Sequence, residues 1–200
     1  MIMNAIVRSS INQAFLNSNT VEAARKLLGY TLCRESEEGF VSGIIVETEA
    51  YLSKNDPACH AARGKTRRNQ SMFGPPGFAY VYFIYGNHYC LNVVTGPAGK
   101  GEAVLIRALE PVEGIPLMQK RRGKKCPVNN LTSGPGKLCQ AFAIGKDFDG
   151  HDLATKPLFL ENRNASRKFI PVKSTPRIGI SEARDKNLRF IIEGNQYLSR

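Results

Sequence analysis

The strongest constraint on the fold is a set of strand-forming segments separated by turn residues. Residues 41–51, 79–85 and 89–94 are rich in β-branched and aromatic side chains and are punctuated by glycine, as strands are. Residues 30–34 and 101–110 carry the same signature more briefly. Tyr85-Gly86-Asn87-His88 lies between two of these runs and reads as a tight hairpin turn. Helical signals are fewer. After Asn19 and Thr20, the positions Val21, Ala24, Leu27 and Leu28 recur at helical spacing and Gly29 supplies a stop, which predicts a helix over 20–28. A second helix is expected over 133–145, with Ser133 as its cap, Pro135 in the first turn, Gly145 at its end and its N-terminus facing an anionic group. The class expected is α+β: one unit over residues 1–200, with a mainly antiparallel sheet and flanking short helices.

Charge narrows the partners. The chain has 28 Lys and Arg against 17 Asp and Glu, a formal net charge of +11, which favours a polyanion. The cations cluster at Arg63, Lys65, Arg67 and Arg68, at Lys120, Arg121, Arg122, Lys124 and Lys125, and at Arg163, Arg167 and Lys168. Three runs in so basic a chain predict a phosphate-contacting surface. No apolar run approaches the roughly 18 residues of a membrane span, and polar residues among the first 17 break up any signal-peptide core. A membrane is therefore not an expected partner, and the expected location is the cytoplasm, near a nucleoid, or the nucleus rather than outside the cell. Five scattered cysteines without a C-x-x-C pair predict reduced thiols. Three histidines without metal spacing predict neither metal nor cofactor.

The segment 43–51 suggests chemistry. Period-two alternation puts Ile45, Glu47, Glu49 and Tyr51 on one face, and Ile44, Val46, Thr48 and Ala50 on a buried one. Two carboxylates and a phenol projecting together in an acid-poor chain resemble a site wall, and alternation cannot choose between Glu47 and Glu49. Residues 77–92 hold Tyr80, Tyr82, Tyr85 and Tyr89 of only seven tyrosines. Tyr85, beside Gly86 at a turn tip, is placed where a ring can wedge into a base stack, as enzymes that react on a base require.

Residues 45–94, 103–114, 131–144 and 175–180, taken in order, resemble the alkyladenine (3-methyladenine) DNA glycosylase family across nearly the whole chain. The resemblance implies a curved antiparallel sheet with a protruding, DNA-intercalating β-hairpin. It also implies excision of damaged purines such as 3-methyladenine, 7-methylguanine, hypoxanthine and ethenoadenine from double-stranded DNA, by a monomer that leaves an abasic site. Glu49 matches the carboxylate that activates water, and Arg107 a residue that helps hold that water. Tyr51 and Tyr82 match rings that sandwich the flipped base, with His60 in the wall, although Ala61 follows His60 where the family often has serine. Tyr85 matches the residue that fills the gap in the helix, and Asn92 the one that obstructs the 2-amino group of guanine. Ser133 and Lys137 fall in a segment lining the pocket and the DNA backbone, which Arg67 and Arg68 are also expected to contact. A non-catalytic module that stacks bases on tyrosines is the alternative, and the Glu49 and Arg107 pair discriminates against it.

Overall fold

The computed structural model describes residues 13–162 and 171–199; the cations Arg163, Arg167 and Lys168 and the first twelve residues lie outside this range. The described residues form three α-helices and eight strands in one curled antiparallel sheet, an α+β fold. The strands are β1 (Thr31–Ser36), β2 (Gly39–Tyr51), β3 (Ala79–Ile84), β4 (His88–Thr95), β5 (Glu102–Glu113), β6 (Leu158–Glu161), β7 (Val172–Thr175) and β8 (Arg189–Ile192). They run in the order β3-β4-β5-β2-β1-β6, and β8 pairs with both β2 and β7. The helices are α1 (Thr20–Leu27), α2 (Ile115–Arg122) and α3 (Pro135–Phe142). None is long and apolar enough to cross a membrane.

One face of the sheet carries the main core: Ala79, Val81, Leu91, Val93, Val104 and Ile106 pack with Ala23, Ala24 and Leu27 of α1 and Leu138 and Phe142 of α3. The opposite face holds a smaller cluster of Cys59, Ala61, Met72, Tyr80, Val94 and Ala103, against which Tyr51, Phe73 and Tyr82 pack. Strand alternation thus separates a folding face from a face rich in phenols.

Helix α1 begins as its sequence dictates, with the Asn19 side chain accepting from the N–H groups of Val21 and Glu22. The expectation for α3 needs correction. The helix ends at Phe142, with Ala143 in the left-handed region, and Gly134 rather than Ser133 occupies its N-cap without a side-chain bond. Ser133 instead bridges to Ala108 of β5 through its backbone, so its position is set by the sheet. In the first turn the His88 ring packs against Gly136, where an added Cβ would lie 2.9 Å from it.

A second correction concerns β2. The pairing of β2 with β5 shifts between Ile45 and Glu47 and again between Glu47 and Thr48. The first bulge resets the alternation, so Ile45 joins the main core together with Ala50 instead of sharing a face with the glutamates. All five cysteines are free thiols, four of them buried.

Candidate active site

The same bulges build a charged centre. Glu47 pairs with Ala108 and Thr48 with Ile106, which leaves Arg107 as the extra residue on β5. A bulged residue is re-aimed relative to its neighbours, and the Arg107 guanidinium reaches both glutamates: Nε lies 3.0 Å from Glu47 Oε1 and Nη1 lies 3.3 Å from Glu49 Oε1. Burial alone would lower the pKa of Arg107, but Glu49 and Glu47 outweigh it and raise the value above the ordinary one.

The two carboxylates, both fully buried, differ in their surroundings. Glu47 is enclosed by donors, with Arg107 Nε, Arg189 Nε at 2.7 Å and the Ser199 hydroxyl at 2.7 Å on Oε1, and the Ser199 N–H at 2.6 Å on Oε2. Glu49 accepts from the Ile178 N–H at 2.8 Å and from Arg107 on Oε1, and from the Tyr51 hydroxyl at 2.8 Å on Oε2. Glu47 thus meets four donors, none of them from a residue that lines the cleft above Glu49. Glu49 meets three, and its Oε2, with two lone pairs and the Tyr51 hydroxyl as its one donor among the described residues, keeps an acceptor position next to the cleft lining. Alternation treats the pair as equal; long-range partners separate them.

Above Glu49 opens a cleft of about 320 Å³, at the small end of ligand sites and sized for one aromatic group. Tyr51, His60, Tyr80, Tyr82, Asn92, Arg63 and residues 179–182 line it. The Tyr51 hydroxyl connects this lining to Glu49, which lies one layer below with Arg107. Register explains the assembly, because Glu49, Leu105, Asn92 and Tyr80 form a single cross-strand row over β2, β5, β4 and β3. Burial is the main cause that raises the phenol pKa of Tyr82 and of Tyr51, so both rings stay neutral donors. His60 stands edge-on to Tyr82, with ring centroids 4.6 Å apart, and its Nδ1 lies 2.8 Å from the Tyr80 hydroxyl. Desolvation of the ring, helped by Arg68, lowers its pKa, which favours the neutral imidazole near pH 7. The Asn92 amide donates to the Tyr80 carbonyl at 3.0 Å, fixing its orientation in the wall.

Tyr85 stands apart from this cleft, at the tip of the β3–β4 hairpin, 77% exposed. Its φ is +54° and that of Gly86 +71°, the pair of positive values that a tight hairpin turn demands. Asparagine or glycine fits the first of those positions without strain; here a bulky ring occupies it. Arg68 braces the hairpin by donating to the Phe83 carbonyl at 3.1 Å, while Arg67 lies exposed on the preceding loop. Ser133 and Lys137 do not line the cleft. Lys137 Nζ donates to Asn130 Oδ1 at 2.5 Å, and the Ser133 hydroxyl lies 3.2 Å from the same atom. In the second basic run, Lys120 and Arg121 pair with Glu38 and Arg122 bonds Gln140, so three of its five cations already have partners. His151 is structural, with Nε2 bonded to the Thr155 and Leu158 carbonyls.

Several residues of the site have no sequence motif that assigns them a role. Arg177 is fully buried, makes two hydrogen bonds to Asp56, donates to the Ala50 carbonyl and lies 4.7 Å over the Tyr51 ring. Its guanidinium covers the Tyr51 ring, and the next residue, Ile178, donates the N–H that holds Glu49. Its segment, 175–180, is distinctive in sequence, but Arg189 and Ser199 have no local signal at all.

The chain matches known proteins over nearly its whole length. The family model described as methylpurine-DNA glycosylase matches residues 14–196. A protein of Methanoculleus marisnigri is 51% identical over 94% of this chain and 97% of its own length. One of Carboxydothermus hydrogenoformans is 48% identical over 93% and 96%, and one of Francisella tularensis 46% identical over 94% and 97%. Each bears the name "Putative 3-methyladenine DNA glycosylase".

Proposed function

Because the chain belongs to the methylpurine-DNA glycosylase family, and so is a DNA glycosylase of base-excision repair, we propose that it flips alkylated or deaminated purines into the tyrosine-lined cleft and hydrolyses the N-glycosidic bond with a water activated by Glu49. The observation that carries this reading is the asymmetry of the two carboxylates. Glu47 is held by two arginines and Ser199, none of which lines the cleft, whereas Glu49 is joined to the cleft lining by the Tyr51 hydroxyl on Oε2, the oxygen that retains an acceptor position.

The flipped base stacks on Tyr51 and Tyr82 beside His60, while Tyr85 occupies the space it leaves in the duplex. Water held between Glu49 and Arg107 attacks C1′ and gives its proton to Glu49; the bond from C1′ to the purine nitrogen breaks and its electron pair leaves with the base. The transition state resembles an oxocarbenium ion, whose positive charge a nearby carboxylate stabilises. An alkylpurine that is already cationic leaves as a neutral base and stacks strongly on electron-rich phenols. Neutral bases such as hypoxanthine and ethenoadenine lack that advantage and leave more slowly. Asn92, with its amide tied to the Tyr80 carbonyl, meets the 2-amino group of guanine and rejects it. Arg67, Ser133 and Lys137 supply cationic and polar contacts to the DNA backbone, with Arg68 fixing the hairpin from behind.

The test is incubation with duplexes that each carry one lesion, followed by alkali to reveal abasic sites. Wild-type protein is expected to release alkylpurines and Glu49→Gln to release none while still binding. Equal excision by both proteins would remove Glu49 from the reaction.

A further inference from the structure

Beyond β8 the chain makes a compact return to the site. The Asn195 side chain donates to Glu110 Oε2 at 2.9 Å and accepts from the Tyr197 N–H at 2.9 Å, a turn anchored on β5. It delivers Ser199, 8% exposed, into the charged centre. There the serine satisfies two partners together. Its N–H and O–H donate to the two oxygens of Glu47, at 2.6 and 2.7 Å, and its oxygen accepts from Arg107 Nη2 at 3.1 Å and Nε at 3.3 Å. Residues 197–199 lie past the span of 14–196 that the family model matches.

We propose that Ser199 is a positioning residue for the reaction, one that decides how Arg107 divides its donors between Glu47 and Glu49. The inference rests on Glu49 being the group that activates water. A guanidinium lying between two carboxylates can turn to give either one a bidentate pair, the strongest arrangement available to it. With Glu49 as the bidentate partner, the carboxylate would lose the acceptor position that water needs. Ser199 prevents this by accepting from Nη2 and holding Nε on Glu47, so that Nη1 alone reaches Glu49, at 3.3 Å, with the Ile178 carbonyl also at 3.3 Å from Nη1. The arginine remains close enough to orient water and is kept from chelating the base.

The experiment compares wild type, Ser199→Ala, Ser199→Thr and Glu49→Gln. Single-turnover release of purines from methylated duplex DNA reports chemistry, Kd for a duplex carrying an abasic analogue reports binding, and the thermal midpoint reports folding. Ser199→Ala is expected to slow release about ten-fold, the scale of one charge-assisted hydrogen bond, while Kd stays within about two-fold. Ser199→Thr keeps the hydroxyl and should restore most of the rate. Wild-type release by Ser199→Ala alongside an inactive Glu49→Gln overturns the role of Ser199 and leaves the catalytic glutamate standing. Equal loss of rate, affinity and thermal midpoint in the Ala and Thr variants also overturns it, because the serine is then only structural. Full activity of Glu49→Gln removes the base and the positioning role with it.

Discussion

Glu47 and Glu49 are two residues apart on one strand, and their difference arises from residues far away in sequence. Arg107, Arg189 and Ser199 converge on Glu47, whereas Tyr51 and Ile178 hold Glu49 beside the cleft. Opposite kinds of defect are therefore expected. Glu49→Gln should lower single-turnover excision by about 10² to 10⁴, as loss of a positioned base does, with lesion-DNA affinity within a few-fold of wild type. Glu47→Gln leaves two arginines partly uncompensated in a buried place. It should cost on the order of 3 kcal/mol of stability, as a broken buried ion pair does, visible as a lower denaturant midpoint. A Glu47→Gln protein of wild-type stability would show the cluster to be less coupled than its distances imply. The sequence made the pair legible as a candidate wall, but not the division of labour, because period-two alternation has no access to the partners that settle it.

At the scale of elements, the hairpin and the loop clamp each set a local requirement against a functional one. Tyr85 holds a positive φ that disfavours a bulky side chain, and its ring is the most exposed large hydrophobic group among the described residues. Tyr85→Asn should relieve that strain and raise stability by roughly 1 kcal/mol. The same change should reduce extrusion, read as weaker 2-aminopurine fluorescence beside the lesion; undiminished fluorescence would detach Tyr85 from flipping. The clamp joins the loop at Asp56 to the segment at Arg177. Burial alone would raise the Asp56 carboxyl, but hydrogen bonds and charge from Arg177, with the Leu52 N–H, hold its pKa below the ordinary value. A depressed carboxyl contributes stability that is present above the unfolded value of about 3.9 and is lost as pH falls through the lower folded value. Asp56→Asn should therefore flatten the acid limb of a stability–pH curve below about pH 4; an unaltered limb would place the acid sensitivity elsewhere. The long strands and α1 were legible because their periodicity and caps are local. The bulge that moves Ile45 into the core, the four-residue strands β6 to β8 and helix α2 were not. Helix α2 follows Gly114, an N-cap without a side-chain bond, and its Arg121 pairs with Glu38, a contact made only after folding.

Across the whole molecule, the net charge of +11 is unevenly committed. Arg63, Lys65, Arg67 and Arg68 lie on the loop between the cleft lining and the Tyr85 hairpin, where a duplex engaged by that tyrosine would pass. Helix α2 packs near Gly39 and Val41, at the end of β2 away from Tyr51. At about 3.3 Å per residue, that end lies on the order of 30 Å along the strand from Glu49. Its cations are engaged as well, since Lys120 and Arg121 both bond Glu38. Counterion release then assigns the two regions different weights. Arg67→Gln should reduce the slope of log affinity against log salt by about 0.9, the value of one phosphate contact, equally for damaged and undamaged duplex. Lys120→Gln should leave the slope unchanged. Titrations by fluorescence anisotropy across a range of salt measure both variants directly. Were Lys120→Gln to flatten the slope as much as Arg67→Gln, the duplex would have to run along β2 to α2, and the hairpin would not be the centre of the DNA track.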